Sequence, residues 1–278
     1  MDTLSCEYAD DVTGCLATRH DADLQVAINI LMSQYQDYFS ACGLCLNQDK
    51  CAVMILRSKA KTQDIFWNGK PAETKVKLLG LWIDSRYEFL DHVNHVVKVC
   101  SYKMSCIRKV AHWLSDKNLK QVVTSLVLSQ ISYCAEIYLR LPKVRTKVQK
   151  VLNSAARLAL REDRYANCEK MMQKLEWLNL DNLYRQQLLC SLRRYLNSGV
   201  TEYTLQWLDW EARLGIRRRL LRISWTPEKN HGKLSFLQAA VSLWNRTEVG
   251  RQVFTTYELF KEWIFVKLKS LYGNKNLL

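Results

Sequence analysis

Two adjacent carboxylates, Asp10 and Asp11, are the side chains in this sequence whose type and spacing most directly suggest chemistry. They lie between two short runs, residues 3–8 and 12–18, which the pattern predicts to be strands of a tight hairpin with both acids at its tip. Carboxylates held in this way can bind Mg²⁺, which prefers a few carboxylates together with phosphate oxygens and water. An ordinary acidic turn is the alternative, because Asp is favoured in turns.

Cysteine and histidine pairs give a second candidate metal site, Cys42-x-x-Cys45 followed much later by His92-x-x-His95. Four such ligands would suit zinc. However, Cys42 falls on the apolar stripe of one predicted helix, and both histidines fall on another helix that needs no metal to fold. No zinc is therefore expected. The 10 cysteines are scattered along a large chain, and we expect reduced thiols.

The elements that position the two acids form a mixed opening region, residues 1–86. Apolar side chains recur at helical spacing over residues 24–42, with Asp21 as the expected N-cap and Gly43 as the stop. Further strands are predicted at residues 51–56, 65–67 and 76–83, with a turn at Asn68-Gly69. The fold class indicated for the whole chain is α+β.

Beyond residue 86 the pattern changes to long amphipathic helices. Residues 87–200 form a predicted helical region, and residues 201–278 a basic, mostly helical C-terminal region. Ser115 or Asp116 is expected to cap a helix. After a first helix over residues 88–114, the predicted helices span residues 116–139, 143–161, 166–177, 182–197, 234–245 and 256–272.

The charge balance points to anionic partners. The sequence has 41 Lys+Arg against 27 Asp+Glu, a net charge of +14, which favours nucleic acid or an anionic membrane over neutral partners. No signal peptide or membrane span is apparent, so we expect an intracellular protein of the nucleus or cytoplasm with no membrane partner.

The densest basic cluster contains Arg213, Arg217, Arg218, Arg219 and Arg222. It would bind phosphates in a salt-sensitive way, or else form a solvated helix or strand face.

The order of several motifs resembles the second half of a reverse transcriptase palm. Tyr8-Ala9-Asp10-Asp11 matches the YxDD hairpin, G-L-C-L-N-Q-D-K at residues 43–50 the GLxLNxxK segment, and K-L-L-G-L-W-I-D at residues 77–84 the LG-containing primer-grip hairpin. The resemblance narrows to non-LTR retrotransposons of the jockey or LINE kind. There a helical thumb follows, with segments similar to residues 129–133, 148–158 and 175–178, and the tail resembles residues 234–245. Arg246 and Thr247 replace the Leu-Pro pair usual in the family.

This resemblance implies roles for the hairpin residues. Asp10 would bind the catalytic pair of Mg²⁺ ions, with Asp11 as its neighbour and Mn²⁺ as a substitute metal. Tyr8 would lie near the primer end. Lys50 would orient or protonate the departing pyrophosphate, and its alternative is a solvent-facing lysine beside a strand.

The resemblance also implies contacts to nucleic acid elsewhere. Leu79 and Gly80 would form the primer grip, where a small residue allows the backbone to approach the primer closely. The alternative for Gly80 is a glycine bulge in an ordinary strand. The arginine cluster would add phosphate contacts.

The implied function is that of a fragment of an RNA-directed DNA polymerase, with an RNA template and a DNA primer or target as partners. In this family a third carboxylate and the fingers lie upstream, so we expect no activity without the N-terminal half of the polymerase. A truncated gene model, a decayed element and a domesticated protein are the origins considered. The alternative functions are a catalytically silent, basic RNA- or DNA-binding remnant and a protein-interaction scaffold built on the amphipathic helices.

Overall fold

The computed structural model describes residues 2–18, 20–56, 65–198, 208–212, 219–223, 236–247 and 254–270. The architecture is α+β, as predicted, with small antiparallel hairpins and many helices. The chain divides into two compact units, Met1–Phe89 and Leu90–Leu278.

The first unit opens with an antiparallel hairpin of strands β1 (Asp2–Tyr8) and β2 (Asp11–Ala17). Helix α1 (Leu24–Ala41) follows and buries a face of three residues, Ala27, Ile28 and Leu31. It ends as predicted at Gly43, whose φ of 71° is the left-handed conformation that glycine adopts without strain. The expected N-cap, Asp21, instead begins a single 3₁₀ turn, and Asp23 occupies the N-cap position.

Two smaller hairpins complete the first unit. Strands β3 (Phe66–Trp67) and β4 (Lys70–Pro71) are joined by Asn68-Gly69, where both residues have positive φ. The predicted turn is thereby confirmed, and the two angles are those of a type I′ turn.

Strands β5 (Lys75–Leu78) and β6 (Leu81–Asp84) form the third hairpin, with Leu79-Gly80 as its turn. The single strand predicted over residues 76–83 is therefore wrong, because both turn residues have positive φ and reverse the chain. The strand predicted over residues 51–56 is also wrong. That segment makes one isolated bridge, from Met54 to Glu73.

The core of the first unit joins α1 to these later segments. It contains Ile28, Ile55, Ile65 and Ala72, with Leu16 of β2 packed against it. The side-chain amide of Gln25 adds a polar link, since its Nε2 donates to the Phe66 carbonyl at 2.9 Å and its Oε1 accepts from the Phe66 N–H at 2.8 Å. The Gln25 amide thus satisfies the backbone N–H and carbonyl of Phe66, as a neighbouring strand would.

The second unit is mainly helical. Its elements are α2 (Leu90–Val110), α3 (Asp116–Val123), a π-helical turn (Thr124–Leu128), α4 (Ser129–Ser132), α5 (Ala135–Tyr138), α6 (Pro142–Leu160), α7 (Cys168–Leu175), α8 (Leu180–Ser198), β7 (Leu208–Ala212), β8 (Arg219–Ile223), α9 (Phe236–Arg246) and α10 (Tyr257–Ser270). Helix α2 packs on α6, and α8 packs against α5, α9 and α10. None of the described helices is both long enough and apolar enough to cross a membrane.

The long helix predicted over residues 116–139 is broken, and this prediction is wrong. Ser115 caps α3 as expected, accepting from the Asn118 N–H at 3.3 Å. After α3, the hydroxyls of Thr124 and Ser132 bond to carbonyls four residues earlier, a pattern that loosens helices. Cys134 then adopts a left-handed conformation, φ 51°, and ends the run.

A hairpin near the C-terminal region was not predicted. Strands β7 and β8 pair in antiparallel register where the sequence indicated a basic, mostly helical segment. The amide of Asn245 on α9 brackets β8, since Nδ2 donates to the Leu221 carbonyl at 2.7 Å and Oδ1 accepts from the Leu221 N–H at 3.0 Å. This is the same arrangement that Gln25 makes with Phe66.

Candidate functional site

The two acids lie at the turn of the first hairpin, in different backbone positions. Tyr8 and Asp11 are a cross-strand pair, so the turn consists of Ala9 and Asp10 alone. Asp11 is thus the first residue of β2. We expected both acids at the tip of the hairpin, and the structure has only Asp10 there. Ala9 has a φ of 54°, which a type II′ turn requires at its first central position and which normally favours glycine.

The carboxylates of Asp10 and Asp11 are both exposed. In the described part of the chain neither has a hydrogen-bonding or ion-pair partner. Because successive residues of a strand point to opposite faces, Asp11 shares a face with Cys15 and Ala17, while Val12, Gly14 and Leu16 form the other.

The face that contains Gly14 is the one that lies against α1. The hydroxyls of Ser5, opposite Gly14, and of Tyr35 on α1 are 2.7 Å apart. A Cβ at Gly14 would lie 2.6 Å from the Tyr35 hydroxyl oxygen, so a larger residue at this position would displace that hydroxyl from Ser5. The hairpin that carries the two acids therefore packs against helix α1.

The opposite face of the hairpin is uncovered in the described structure. Tyr8 is 68% exposed and Leu4 38% exposed, and the thiols of Cys6 and Cys15 are exposed beside them. This face therefore presents exposed apolar side chains beside the carboxylate of Asp11.

Lys50 is exposed in a turn after α1. This position agrees with the alternative given above, a lysine that faces solvent. Its backbone N–H donates to the Asn47 carbonyl at 3.1 Å. The part of the chain that the structure describes contains no ion pair between Lys50 and Asp10 or Asp11. The structure therefore does not bring these three charged groups into contact.

Leu79 and Gly80 form the exposed turn of the β5–β6 hairpin, with φ values of 45° and 87°. Both residues lie at the end of this two-stranded ribbon, so Gly80 belongs to a turn between two strands and not to a bulge within one strand.

Asp84, a residue that the sequence did not single out, fixes the base of this ribbon. Its Oδ1 accepts from the N–H groups of Arg86 and Glu88, both at 3.0 Å, and its Oδ2 accepts from the Phe89 N–H at 2.7 Å. One carboxylate thus satisfies three backbone donors in a segment where Tyr87 and Phe89 have positive φ. In the sequence, the only indication of this role is that an Asp stands five residues before an aromatic residue, Phe89.

The arginine cluster is only partly described. Arg213, Arg217 and Arg218 lie outside the described residues. Arg219 and Arg222 lie in β8, and the structure describes only the backbone of these two residues. Their predicted contacts to phosphate remain predictions.

An aromatic and basic surface on the second unit was missed by sequence reasoning. Tyr102 on α2 is 72% exposed and Trp113, just after α2, is 77% exposed. Lys98 and Lys109 are exposed at helical spacing around Tyr102. Exposed aromatic rings beside cations are the elements with which proteins bind single-stranded nucleic acid. The spacing of Lys98, Tyr102 and Lys109 was the signal that could have found this surface.

His92, considered above as a zinc ligand, is instead a buried residue of α2. Its ring packs edge-on against Tyr138 with centroids 4.8 Å apart. Burial, with a smaller effect of His95, lowers the pKa of His92 to about 4. Among the described residues, no group of three or more His, Cys, Asp or Glu side chains is arranged to hold a metal ion.

No protein-family model, curated protein or solved structure matches this chain.

Proposed function

We propose that the chain is the C-terminal palm and thumb region of an RNA-directed DNA polymerase of the non-LTR retrotransposon class. The observation that carries the proposal is the geometry of the first hairpin, where Asp10 and Asp11 are adjacent, exposed and without an ion-pair partner among the described residues. The hairpin is attached to α1 through Ser5 and Tyr35. Two adjacent carboxylates, one in the turn and one at the start of β2, are suited to binding Mg²⁺ beside phosphate oxygens.

In this proposal Asp10 and Asp11 supply part of a two-metal site for nucleotidyl transfer. The metals would neutralise the triphosphate and activate the primer hydroxyl when bound. Tyr8, which is paired with Asp11, would contact the primer end, and Leu79-Gly80 would contact the primer backbone. The uncovered face around Leu4 and Tyr8 supports this assignment, because a palm hairpin needs further strands or a partner over that face.

The metal part of the proposal is tested with Mn²⁺ as a paramagnetic probe. Titration of the full chain should broaden the backbone amide signals of residues 8–11 first, since Mn²⁺ accepts the same oxygen ligands as Mg²⁺. Asp10→Asn should abolish this selective broadening. Asp37→Asn, which removes an exposed carboxylate from α1, should leave it unchanged.

A nucleic-acid-binding protein without catalysis is the second candidate, and the surface around Tyr102 and Trp113 favours it. A stacked base contributes roughly 1–3 kcal/mol by alanine substitution, and phosphate contacts make binding depend steeply on salt. Tyr102→Ala with Trp113→Ala should therefore weaken binding of a single-stranded oligonucleotide at every salt concentration while leaving the salt slope almost unchanged. Lys98→Ala with Lys109→Ala should reduce the slope.

These two functions are distinguished by the response to Asp10→Asn. A polymerase region loses metal binding and keeps nucleic-acid affinity, whereas a silent binding protein is unaffected in both measurements. An oligonucleotide affinity that does not change with salt would contradict both candidates.

A further inference from the structure

A cavity of about 310 Å³ on the second unit has a composition that none of the roles above explains. It lies where the N-terminus of α3 meets the C-terminal ends of α6 and α7. Its lining combines a basic rim with an apolar floor, and consists of Asp116, Lys117, Lys120, Ala159, Leu160, Lys174 and Leu175. We refer to it as the lysine pocket. Its volume is at the lower end of the range for small-molecule sites.

The rim carries more positive charge than the surrounding carboxylates balance. Arg161 pairs with Asp116 at 3.0 Å and Lys269 with Glu176 at 2.8 Å. Lys174 lies 3.8 Å from Glu162. Among the lining residues, Lys117, Lys120 and Lys174 stand against one carboxylate, Asp116, which leaves an excess of two positive charges.

The one acid in the pocket, Asp116, is paired with an arginine. Asp116 accepts from Arg161 Nε, and Arg161 Nη2 donates to the carbonyls of Ala111 and Leu114 at 2.9 and 2.7 Å. This arginine is therefore used structurally, and it neutralises Asp116. Asp116 and Lys117 also begin α3, so the positive end of the helix dipole adds to the lysine charges.

The floor of the pocket is apolar. Ala159 and Leu175 are buried, at 2% and 1% exposure, and Leu160 is half-buried between them. A lining of three lysines and an apolar floor suits a ligand with a phosphate group and a flat or apolar body.

The geometry points to the lysine pocket as a binding site for a phosphate group, with Lys117, Lys120 and Lys174 as its cationic ligands. The phosphate can come from a small phosphorylated molecule such as a nucleotide, or from the terminus or backbone of a nucleic acid. Both sources present the same oxygens to the lysines. This inference does not depend on the polymerase proposal, because Asp10 and Asp11 take no part in it.

Equilibrium dialysis of the full chain against radiolabelled inorganic phosphate, ATP and a short oligonucleotide tests the inference. Lys117→Ala and Lys120→Ala should each weaken binding roughly tenfold, the loss expected for one hydrogen bond to a charged group. Lys150→Ala is the matched control, because Lys150 is an exposed lysine on α6 outside the pocket. Circular dichroism verifies that each variant is folded, and Lys117→Gln provides a second variant that removes the charge but keeps a polar side chain.

Each outcome decides the matter. Lysine-dependent binding of phosphate or ATP identifies a free phosphorylated ligand. Lysine-dependent binding of the oligonucleotide alone identifies nucleic acid as the source. A preference for a 5′-phosphate then assigns the terminus, and equal binding with and without it assigns the backbone. If no probe binds saturably, or if Lys150→Ala weakens binding as much as Lys117→Ala, the pocket is not a phosphate site.

Discussion

The hydroxyl of Tyr35 lies 2.7 Å from Oγ of Ser5, and this hydrogen bond joins helix α1 to the hairpin that carries Asp10 and Asp11. The contact exists because Gly14, the cross-strand partner of Ser5, leaves room for the tyrosine ring. The position of the acidic turn thus depends on residues that carry no charge.

Gly14→Ala should destabilise the first hairpin by about 1–3 kcal/mol, the usual cost of overpacking. The new Cβ would meet Tyr35 Oη at 2.6 Å and Leu31 Cδ2 at 3.1 Å. Hydrogen exchange of residues 2–17, followed by mass spectrometry, should accelerate. Adding Tyr35→Phe should restore part of the protection, because it removes the closest atom. Equal exchange in wild type and Gly14→Ala would show that the helix does not support the hairpin in this way.

Asp84→Ala should destabilise the segment after β6 by about 2–3 kcal/mol, because three backbone N–H groups lose a charged acceptor. Asp84→Asn should cost less, since its one remaining oxygen can still accept. The measurement is amide exchange of Arg86, Glu88 and Phe89. Asp37→Ala, which removes an exposed carboxylate from α1, is the control. If the alanine variant exchanges no faster than wild type, the carboxylate does not fix this segment.

The second unit should lose stability as the pH falls from about 6.5 to about 4, because the pKa of His92 is lowered to about 4 by burial. The unfolded chain takes up a proton over this interval and the folded chain does not, so protonation favours unfolding. The full effect is on the order of 3 kcal/mol.

His92→Phe should remove this pH dependence while keeping a ring against Tyr138. The exposed His112→Gln variant should keep it. Urea unfolding of the second unit, measured at several pH values, gives the comparison. The same slope in His92→Phe and wild type would assign the dependence to other groups.

Sequence periodicity predicted the elements whose signals are local. The apolar spacing of α1, the stop at Gly43, the Asn68-Gly69 turn and the Ser115 cap all follow from near neighbours, and the structure has each of them. These features needed no knowledge of the rest of the chain.

Breaks inside apolar runs could not be predicted in the same way. The buried residues of this run are Val123, Val127, Ile131 and Ala135. Their four-residue spacing is that of one continuous helix, so the spacing gives no sign of the break at Cys134. At Leu79 a non-glycine residue adopts positive φ, which no propensity indicates.

The candidate site was predicted only in part. The two adjacent acids and the short runs around them predicted the hairpin turn. The sequence did not predict that Asp11 lies in β2, where it pairs with Tyr8. Tyr102, Trp113 and the lysine pocket depend on which side chains tertiary packing leaves exposed, and the sequence does not specify this.

Primer extension by the chain joined to the upstream half of a related polymerase tests the central claim most directly. With an RNA template, a DNA primer and Mg²⁺, the rate of single-nucleotide incorporation should fall at least about 100-fold in Asp10→Asn, a loss typical of a central transition-state interaction. The affinity for primer and template should not change, and Asp37→Asn should incorporate at the wild-type rate. Equal incorporation by Asp10→Asn and wild type would contradict the assignment of this hairpin to a metal-dependent polymerase centre.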